Sequence, residues 1–238
     1  MTGAPHRHFH DDLERLKHRL LEMSGRAEDA MQRAVRAVLE RDIDASEQVM
    51  SEDPDIDQLE LEIEEGVTNL LALHQPMARD LRLLLALLKI SNDLERVGDH
   101  AVNIAQSAKR LGEYRVITPE PELVEMSRIA REMLHQALDA FVRGDTEAAR
   151  AVCRRDDQVD ALHRSMFRIL LTHMAEDPHT IGAAMELFLV SRNLERVADL
   201  ATNVGEDVVF LVEGKTIKHG AERRGGAHGS APASQTGG

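Results

Sequence analysis

The chain has 238 residues, of which 3% are aromatic and none is Trp, and it is rich in Leu, Ala, Met, Glu and Arg. This composition favours helices and argues against sandwiches and barrels, which rely on aromatic and β-branched side chains. A formal net charge of −13 argues against a nucleic-acid partner, since duplex binding depends on basic groups.

Periodicity predicts three helices in the first half of the chain. The first keeps a three-and-four apolar spacing from Asp11 to Val38, and the third runs from about Met77 to Leu111. The second, over residues 42–74, contains Pro54, which should kink or briefly break it. Residues 114–121, with two prolines, are expected to join the two halves.

The same three-helix order then begins again at Leu123, and Asp177-Pro178 opens the sixth helix. We therefore predict an all-α fold of two tandem three-helix bundles related by internal duplication. The expected boundaries are 11–116 and 117–215, with disordered tails at 1–10 and 216–238.

The single cysteine, Cys153, excludes an internal disulfide and is expected to be structural. The N-terminus lacks the apolar core of a signal peptide, and the apolar runs are too short to cross a bilayer. We therefore expect a cytoplasmic protein without membrane insertion.

One helical phrase, S-x-x-L-E-R-V-x-D-x-A-x-N, occurs twice, about 100 residues apart. In the first copy Glu95, Asp99 and Asn103 are four residues apart, so they line one stripe of a helix. Leu94 and Val97 belong to an apolar seam on the opposite side, so the carboxylates are expected to face outward. The polar residues of the second copy are Glu195, Asp199 and Asn203.

A second acidic motif, D-x-x-x-D, precedes each phrase by one helix: Asp53 and Asp57 in the first half, Asp156 and Asp160 in the second. If neighbouring helices bring these pairs together, four carboxylates converge in each half. Such a cluster repels itself unless a cation or a proton compensates it.

Two interpretations of the acidic stripe remain open from spacing alone. It is either a solvated helix face with an Arg96–Asp99 ion pair, or a site for a hard cation such as Mg²⁺, Mn²⁺, Ca²⁺ or iron. The enzymatic rival is a ferritin-like di-iron bundle for metal storage, which needs Glu-x-x-His twice, facing inward. Glu132 with His135 has this spacing, but the duplication does not repeat it, since the counterparts in the first half are Asp29 and Gln32. There is no other catalytic signature such as H-E-x-x-H or G-x-S-x-G. A binding or regulatory role is therefore favoured over an enzyme.

The doubled helix order and the motif that opens the third helix resemble the PhoU family of phosphate-signalling regulators, over about residues 11–215. The motif reads Q-P-x-A-x-D-L-R and recurs in degenerate form at 176–181. The residues that carry the resemblance are Gln75, Pro76, Ala78, Asp80, Leu81 and Arg82, with Arg96 and Arg196 of the repeated phrase.

The resemblance implies a cytoplasmic, often dimeric protein that represses phosphate-starvation signalling. Members connect the ATPase subunit of the phosphate ABC transporter to a membrane sensor histidine kinase. Some bind iron or other divalent metals on their surface through E(D)-x-x-x-D motifs, and Asn103 and Asn203 are candidates for additional ligands here. Pro54 is expected to displace Asp53 and leave the first site poorer than the second. The metal ligands implied are Glu95, Asp99, Glu195, Asp199, Asp53, Asp57, Asp156 and Asp160.

Overall fold

The computed structural model describes residues 4–114 and 121–217, which form six long helices and contain no strand. The predicted all-α fold is confirmed. None of the described helices is both long and apolar enough to span a membrane. The helices are α1 (Ala4–Glu40), α2 (Ile43–Leu73), α3 (Ala78–Leu111), α4 (Pro121–Arg143), α5 (Thr146–Glu176) and α6 (Ile181–Glu213).

The N-terminal boundary differs from the prediction, because α1 already begins at Ala4. Phe9 is buried in the core, and its ring meets the ring of His74 edge-on at 5.2 Å between centroids. Helix α1 therefore already includes residues 4–10, which the sequence assigned to a disordered tail. The predicted joint over 115–120 and the predicted tail over 218–238 lie outside the described residues.

The first turn of each half is built in the same way. Arg41 and Gly144 both adopt the left-handed conformation, with φ of 56° and 63°. The following aspartates cap the next helix: Asp42 accepts a hydrogen bond from the amide of Ala45, and Asp145 accepts one from the amide of Ala148. The duplication therefore preserves turn geometry as well as helix order.

Two helices, α3 and α6, form the centre of the molecule. The α3 helix packs against α1, α2 and α6, and α6 packs against α3, α4 and α5. The predicted seam of α3 is fully buried, as is its counterpart in α6. These seam residues are Leu94, Val97, Ala101 and Ile104 in α3, and Leu194, Val197, Ala201 and Val204 in α6.

Polar contacts also cross between α3 and α6, and they run antiparallel along the two helices. Lys89 Nζ lies 2.6 Å from Asp207 Oδ1 near one end, and Arg110 Nε lies 2.8 Å from Glu186 Oε1 near the other. Between them, Asn203 hydrogen-bonds to Asp93, and His100 Nδ1 lies 2.9 Å from Asn193 Oδ1. We call this set the α3–α6 polar seam: Lys89, Asp93, His100, Arg110, Glu186, Asn193, Asn203 and Asp207.

Close helix packing makes one glycine essential, and a second glycine provides its control. At Gly205 an added Cβ would lie 2.9 Å from the backbone oxygen of Ala149, so we expect Gly205→Ala to lower the free energy of unfolding by about 1–3 kcal/mol. Gly25 has no neighbour within 4 Å, and Gly25→Ala should raise it by about 0.5–1 kcal/mol through helix propensity. Urea unfolding of both variants tests this; a stabilised Gly205→Ala would contradict the close approach of α5 to α6.

Candidate functional site

The acids of α2 and α3 lie near enough to one another for their charges to interact. Burial, followed by the charges of Asp99, Glu60, Asp57 and Asp53, raises the pKa of Glu95 to about 7. Burial and the charges of Asp57 and Asp99 also raise the pKa of Asp53. Mutual repulsion of this kind requires the carboxylates to lie close together. We call these five residues the α2–α3 acidic group: Asp53, Asp57, Glu60, Glu95 and Asp99.

Glu60 is the member that the sequence analysis missed. It follows Asp57 by three residues and therefore lies on the same face of α2. Its Oε1 accepts a hydrogen bond of 3.2 Å from the side-chain amide of Asn92 on α3. The sequence could have indicated Glu60, because it extends the acidic motif of α2 to D-x-x-x-D-x-x-E.

Pro54 was expected to kink or briefly break α2, and the break is absent, because the helix runs from Ile43 to Leu73. The charges of Asp57 and Asp99 still repel that of Asp53. Gly98 of α3 allows this approach, since an added Cβ there would lie 3.3 Å from Asp53 Oδ1. The first group is therefore not dispersed by the proline.

The acids of α5 and α6 also converge, and we call them the α5–α6 acidic group: Asp156, Asp160, Glu195 and Asp199. Burial is the largest cause that raises the pKa of Glu195, followed by the charge of Asp199. Asp160 and Asp156 add smaller contributions in the same direction, so acids of both helices act on this carboxylate.

A difference between the groups comes from the arginine of the repeated phrase. Arg196 Nη1 lies 3.1 Å from Asp199 Oδ2, and its Nε lies 3.5 Å from Glu195 Oε2, so this arginine partly compensates the second group. The equivalent Arg96 contacts Asp93 at 3.7 Å instead of Asp99. The predicted Arg96–Asp99 pairing therefore has its equivalent only in the second half, and the first group carries the larger excess of negative charge.

The donor chemistry of both groups fits a hard cation, because each offers several carboxylate oxygens at a solvent-facing helix pair. Glu195 Oε2 is also buried without a hydrogen bond. As the side chains lie, however, no three His, Cys, Asp or Glu residues within 4–114 and 121–217 are arranged to hold a metal ion.

The asparagines of the repeated phrase do not extend the acidic groups in an equivalent way. Asn203 hydrogen-bonds to Asp93 and so belongs to the α3–α6 polar seam, while Asn103 is exposed on α3. Cys153 Sγ lies 3.7 Å from the backbone oxygen of Thr202, and burial raises its pKa to about 11. Such a thiol is protonated at neutral pH, as expected of a structural cysteine.

The Glu-x-x-His motif of α4 does not face the core, and Glu176 and His179, which share its spacing, are both exposed at or just beyond the end of α5. Glu132 forms ion pairs with Arg128 and Arg155, and His135 contacts Glu28 between α1 and α4 with its side chain 63% exposed. A di-iron centre of the bundle type needs two such motifs that project inward. The geometry of this motif therefore does not favour the storage or oxidase alternative.

The opening motif of α3 links the two halves. Gln75 and Pro76 lie in the connection between α2 and α3, and Asp80 lies in the first turn of α3, where a carboxylate complements the helix dipole. Arg82 Nε donates a hydrogen bond of 3.1 Å to the backbone oxygen of Leu211 near the end of α6. Leu81 is partly exposed on the same turn.

Comparison with known proteins agrees with this architecture. The PhoU domain matches residues 20–108 and 123–208, which correspond to the two halves. The phosphate-specific transport system accessory protein PhoU homolog of Clostridium acetobutylicum is 37% identical over 210 residues, covering 88% of this chain and 96% of that protein. The homolog of Aquifex aeolicus is 38% identical over 208 residues, covering 87% and 94%.

Two crystal structures have the same fold. PhoU from Pseudomonas aeruginosa superimposes with a TM-score of 0.84 at 36% identity, over 87% of this chain and 100% of that one. The phosphate transport system regulatory protein PhoU from Streptococcus pneumoniae gives a TM-score of 0.82 at 26% identity, over 89% and 100%. With both repeats matched and the relatives aligned almost end to end, the chain belongs to the PhoU family.

Proposed function

We propose that this protein is a non-catalytic negative regulator of phosphate uptake and phosphate-starvation signalling. It acts in the cytoplasm, as a homodimer, as an adaptor between the ATPase subunit of the phosphate ABC transporter and a sensor histidine kinase. Its relatives support the link to phosphate transport, since they are accessory proteins of the phosphate-specific transport system.

The observation that carries the proposal is the outward position of two acidic groups on a rigid bundle. Each lies on a helix pair whose opposite faces form the core. Asp57 and Asp99 are exposed, and the other acids are half-buried beside them. Acidic surfaces attract basic protein surfaces and speed their association, an effect that weakens as salt rises. An adaptor with this surface should therefore bind its partners more weakly at high ionic strength.

Divalent metal is the second part of the proposal. The α2–α3 and α5–α6 acidic groups would each hold Mg²⁺, Mn²⁺ or iron through their carboxylate oxygens, which removes the repulsion that raises the pKa of Glu95 and Glu195. A bound cation would also change the charge that a partner meets. Metal binding and partner binding are thus expected to be coupled.

The adaptor role is tested with purified components. We expect the immobilised protein to bind both the ATPase subunit of the cognate phosphate transporter and the cytoplasmic part of the cognate kinase. Raising NaCl from 50 to about 300 mM should weaken both interactions, because surface charges are screened over about 10 Å at 0.1 M salt. Deletion of the gene should raise expression of phosphate-uptake genes in phosphate-rich medium.

Two results would contradict the proposal. One is the absence of binding to both purified partners at low salt, and the other is unchanged expression of uptake genes in the deletion strain. The control is a deletion strain complemented with the wild-type gene, which should restore repression.

A further inference from the structure

An exposed apolar patch lies where α5 and α6 approach their connecting turn. Four large apolar side chains on these two helices are each 45–46% exposed to solvent, and a fifth, Phe188, is half-buried beside them. Contiguous apolar surface of this kind marks binding sites, whereas single exposed apolar side chains are ordinary. We call these residues the α5–α6 apolar patch: Phe167, Leu171, Ile181, Met185 and Phe188.

The patch is continuous across the two helices, because α5 and α6 run antiparallel. His163 contacts Ser191, and one turn further along α5 the ring of Phe167 meets that of Phe188, with 5.5 Å between centroids. The next turn of α5 carries Leu171, and the neighbouring turns toward the start of α6 carry the remaining two members. All five side chains therefore lie along one shared side of the helix pair.

The aromatic side chains of the patch form a fixed row. Phe188 contacts two rings: that of His163, at 5.4 Å with 28° between the planes, and that of Phe167, at 5.5 Å with 54°. His163 Nδ1 also lies 3.0 Å from Ser191 Oγ, and this contact restrains the imidazole. Because these rings are held in place before a partner arrives, little side-chain entropy is lost on binding.

Three exposed arginines surround the patch, although the chain as a whole carries a net charge of −13: Arg164, Arg168 and Arg192. Burial lowers the pKa of His163, and the charge of Asp160 opposes this shift. The charges of Arg192 and Arg164 lower the pKa further, so both arginines lie near the aromatic row. Aromatic residues, Met and Arg are the side chains enriched in protein interfaces.

The first half of the chain differs at the equivalent positions. When the two D-x-x-x-D motifs are aligned, Glu64 and Glu65 of α2 correspond to Phe167 and Arg168 of α5. Both glutamates are exposed. The duplication thus has two carboxylates where the second half has an aromatic ring and a guanidinium, so the two halves present different chemistry to a partner.

Charge decides which occupant fits the patch. A two-fold contact with a second copy would bring the arginines of one chain against those of the other, and like charges repel. An anionic lipid surface would attract the arginines. It is broad and flat, however, and would also cover Asp160 and Glu195, which lie two turns beyond the phenylalanines on the same helix faces. A single helix of a partner protein is narrow enough to cover the patch alone.

We propose that the α5–α6 apolar patch docks an amphipathic helix of a partner protein, whose apolar stripe packs on the aromatic row and whose flanking carboxylates pair with Arg164, Arg168 and Arg192. Such helices place apolar anchors at i, i+4 and i+7. The patch matches that length, since Ile181 to Phe188 cover about 10 Å of α6, or two helical turns. This inference rests on the proposed function, because it names the surface through which the adaptor meets one of its partner proteins.

The test combines two probe peptides with purified partners. The peptides share one helical stripe of Leu, flanked by Glu in the first and by Lys in the second. The partners are the ATPase subunit of the cognate transporter and the cytoplasmic part of the cognate kinase. Wild-type protein should bind the Glu-flanked peptide at least about tenfold more tightly than the Lys-flanked one.

Phe167→Glu should weaken binding of the Glu-flanked peptide and of one of the two partners about 10–30-fold, because it places a charge at the centre of the apolar contact. Val124→Glu is the matched control, since Val124 is also 46% exposed but lies on α4, and it should bind as wild-type protein does. Arg168→Glu with Arg192→Glu should reverse the preference toward the Lys-flanked peptide. An unchanged preference in that variant would overturn the role of the arginines.

The remaining outcomes separate this inference from the proposed function. If wild-type protein binds neither partner, the adaptor role fails, and the preference between the peptides alone decides this inference. If both partners bind and neither Phe167→Glu nor Met185→Glu weakens them, the adaptor role stands and this inference is overturned. Loss of dimerisation in Phe167→Glu, or loss of binding to phosphatidylglycerol vesicles with partner binding unchanged, overturns it by assigning the patch to a second copy or to lipid. Unchanged melting curves of the variants exclude misfolding as the cause.

Discussion

Replacing Glu95 by Gln and Asp99 by Asn together is expected to abolish Mn²⁺ binding at the α2–α3 acidic group and to stabilise the metal-free protein at pH 8. Metal binding is lost because two carboxylate ligands are removed. The metal-free fold is stabilised because burial and four neighbouring carboxylates disfavour the charge of Glu95, which the variant lacks. Calorimetric titration with Mn²⁺ and thermal unfolding measure the two effects. Mn²⁺ affinity should fall while thermal stability rises, and a general loss of structure would lower both.

The stabilisation depends on pH in a defined direction. The pKa of Glu95 is about 7 in the folded protein against 4.5 for the free side chain. Below about pH 4.5 the residue is protonated in both states and contributes nothing. As pH rises toward 7 the unfolded state releases the proton first, so wild-type stability falls relative to the variant. Added Mn²⁺ should recover this loss at pH 8 and have little effect at pH 4.5, where protons compete for the same oxygens.

The control removes two carboxylate charges from α2, outside the acidic group. Glu64 and Glu65 are both exposed, so Glu64→Gln with Glu65→Gln changes net charge equally without touching the acidic group. This control should leave Mn²⁺ affinity nearly unchanged. Equal loss of Mn²⁺ binding in both double variants would mean that net charge, and not the acidic group, attracts the metal.

Arg110→Ala is expected to lower the free energy of unfolding by about 1–3 kcal/mol, because it leaves a buried carboxylate without its ion-pair partner. Glu186 is only 8% exposed, and its Oε1 lies 2.8 Å from Arg110 Nε across the α3–α6 polar seam. Its other oxygen, Oε2, is buried and accepts no hydrogen bond, so no second contact replaces the arginine. Urea unfolding measures the loss.

A matched arginine provides the control. Arg128 is about as exposed as Arg110 but pairs with Glu125 and Glu132 on the surface of α4. Arg128→Ala should cost less than about 1 kcal/mol, as for other exposed ion pairs. Replacing Arg110 and Glu186 together by Leu should recover most of the stability. Equal effects of Arg110→Ala and Arg128→Ala would show that burial of Glu186 is unimportant.

The helices and the acidic stripe were predictable because they depend on local spacing. The seam of Leu94 and Val97 follows from apolar periodicity alone, and the outward position of Asp99 follows from the same helical wheel. The start of α1 could not be predicted in this way, since the N-terminal residues are mostly polar. Only Phe9, which packs against the ring of His74 at the end of α2, indicates the tertiary contact that extends the helix.

The differences between the halves were harder to predict. A comparison of the two repeats identifies the residues that they share and passes over the positions at which they differ. Glu60 was missed for this reason, although it lies three residues after a recognised aspartate. The orientation of the phrase arginine also depends on a difference. Arg96 has Asp93 one turn before it, whereas Arg196 has Asn193, so only the second arginine remains with its acidic group.

Divergence along the α3–α6 polar seam favours pairing of each half with the other half, because two of its ion pairs need residues of both. By the offset of about 100 residues, α3 carries Ser107 and Ala86 where α6 carries Asp207 and Glu186. Two copies of α3 in the same arrangement would leave Lys89 and Arg110 without their carboxylates. The two repeats are therefore no longer interchangeable. If two chains exchanged halves, each α3–α6 contact would still need one first half and one second half.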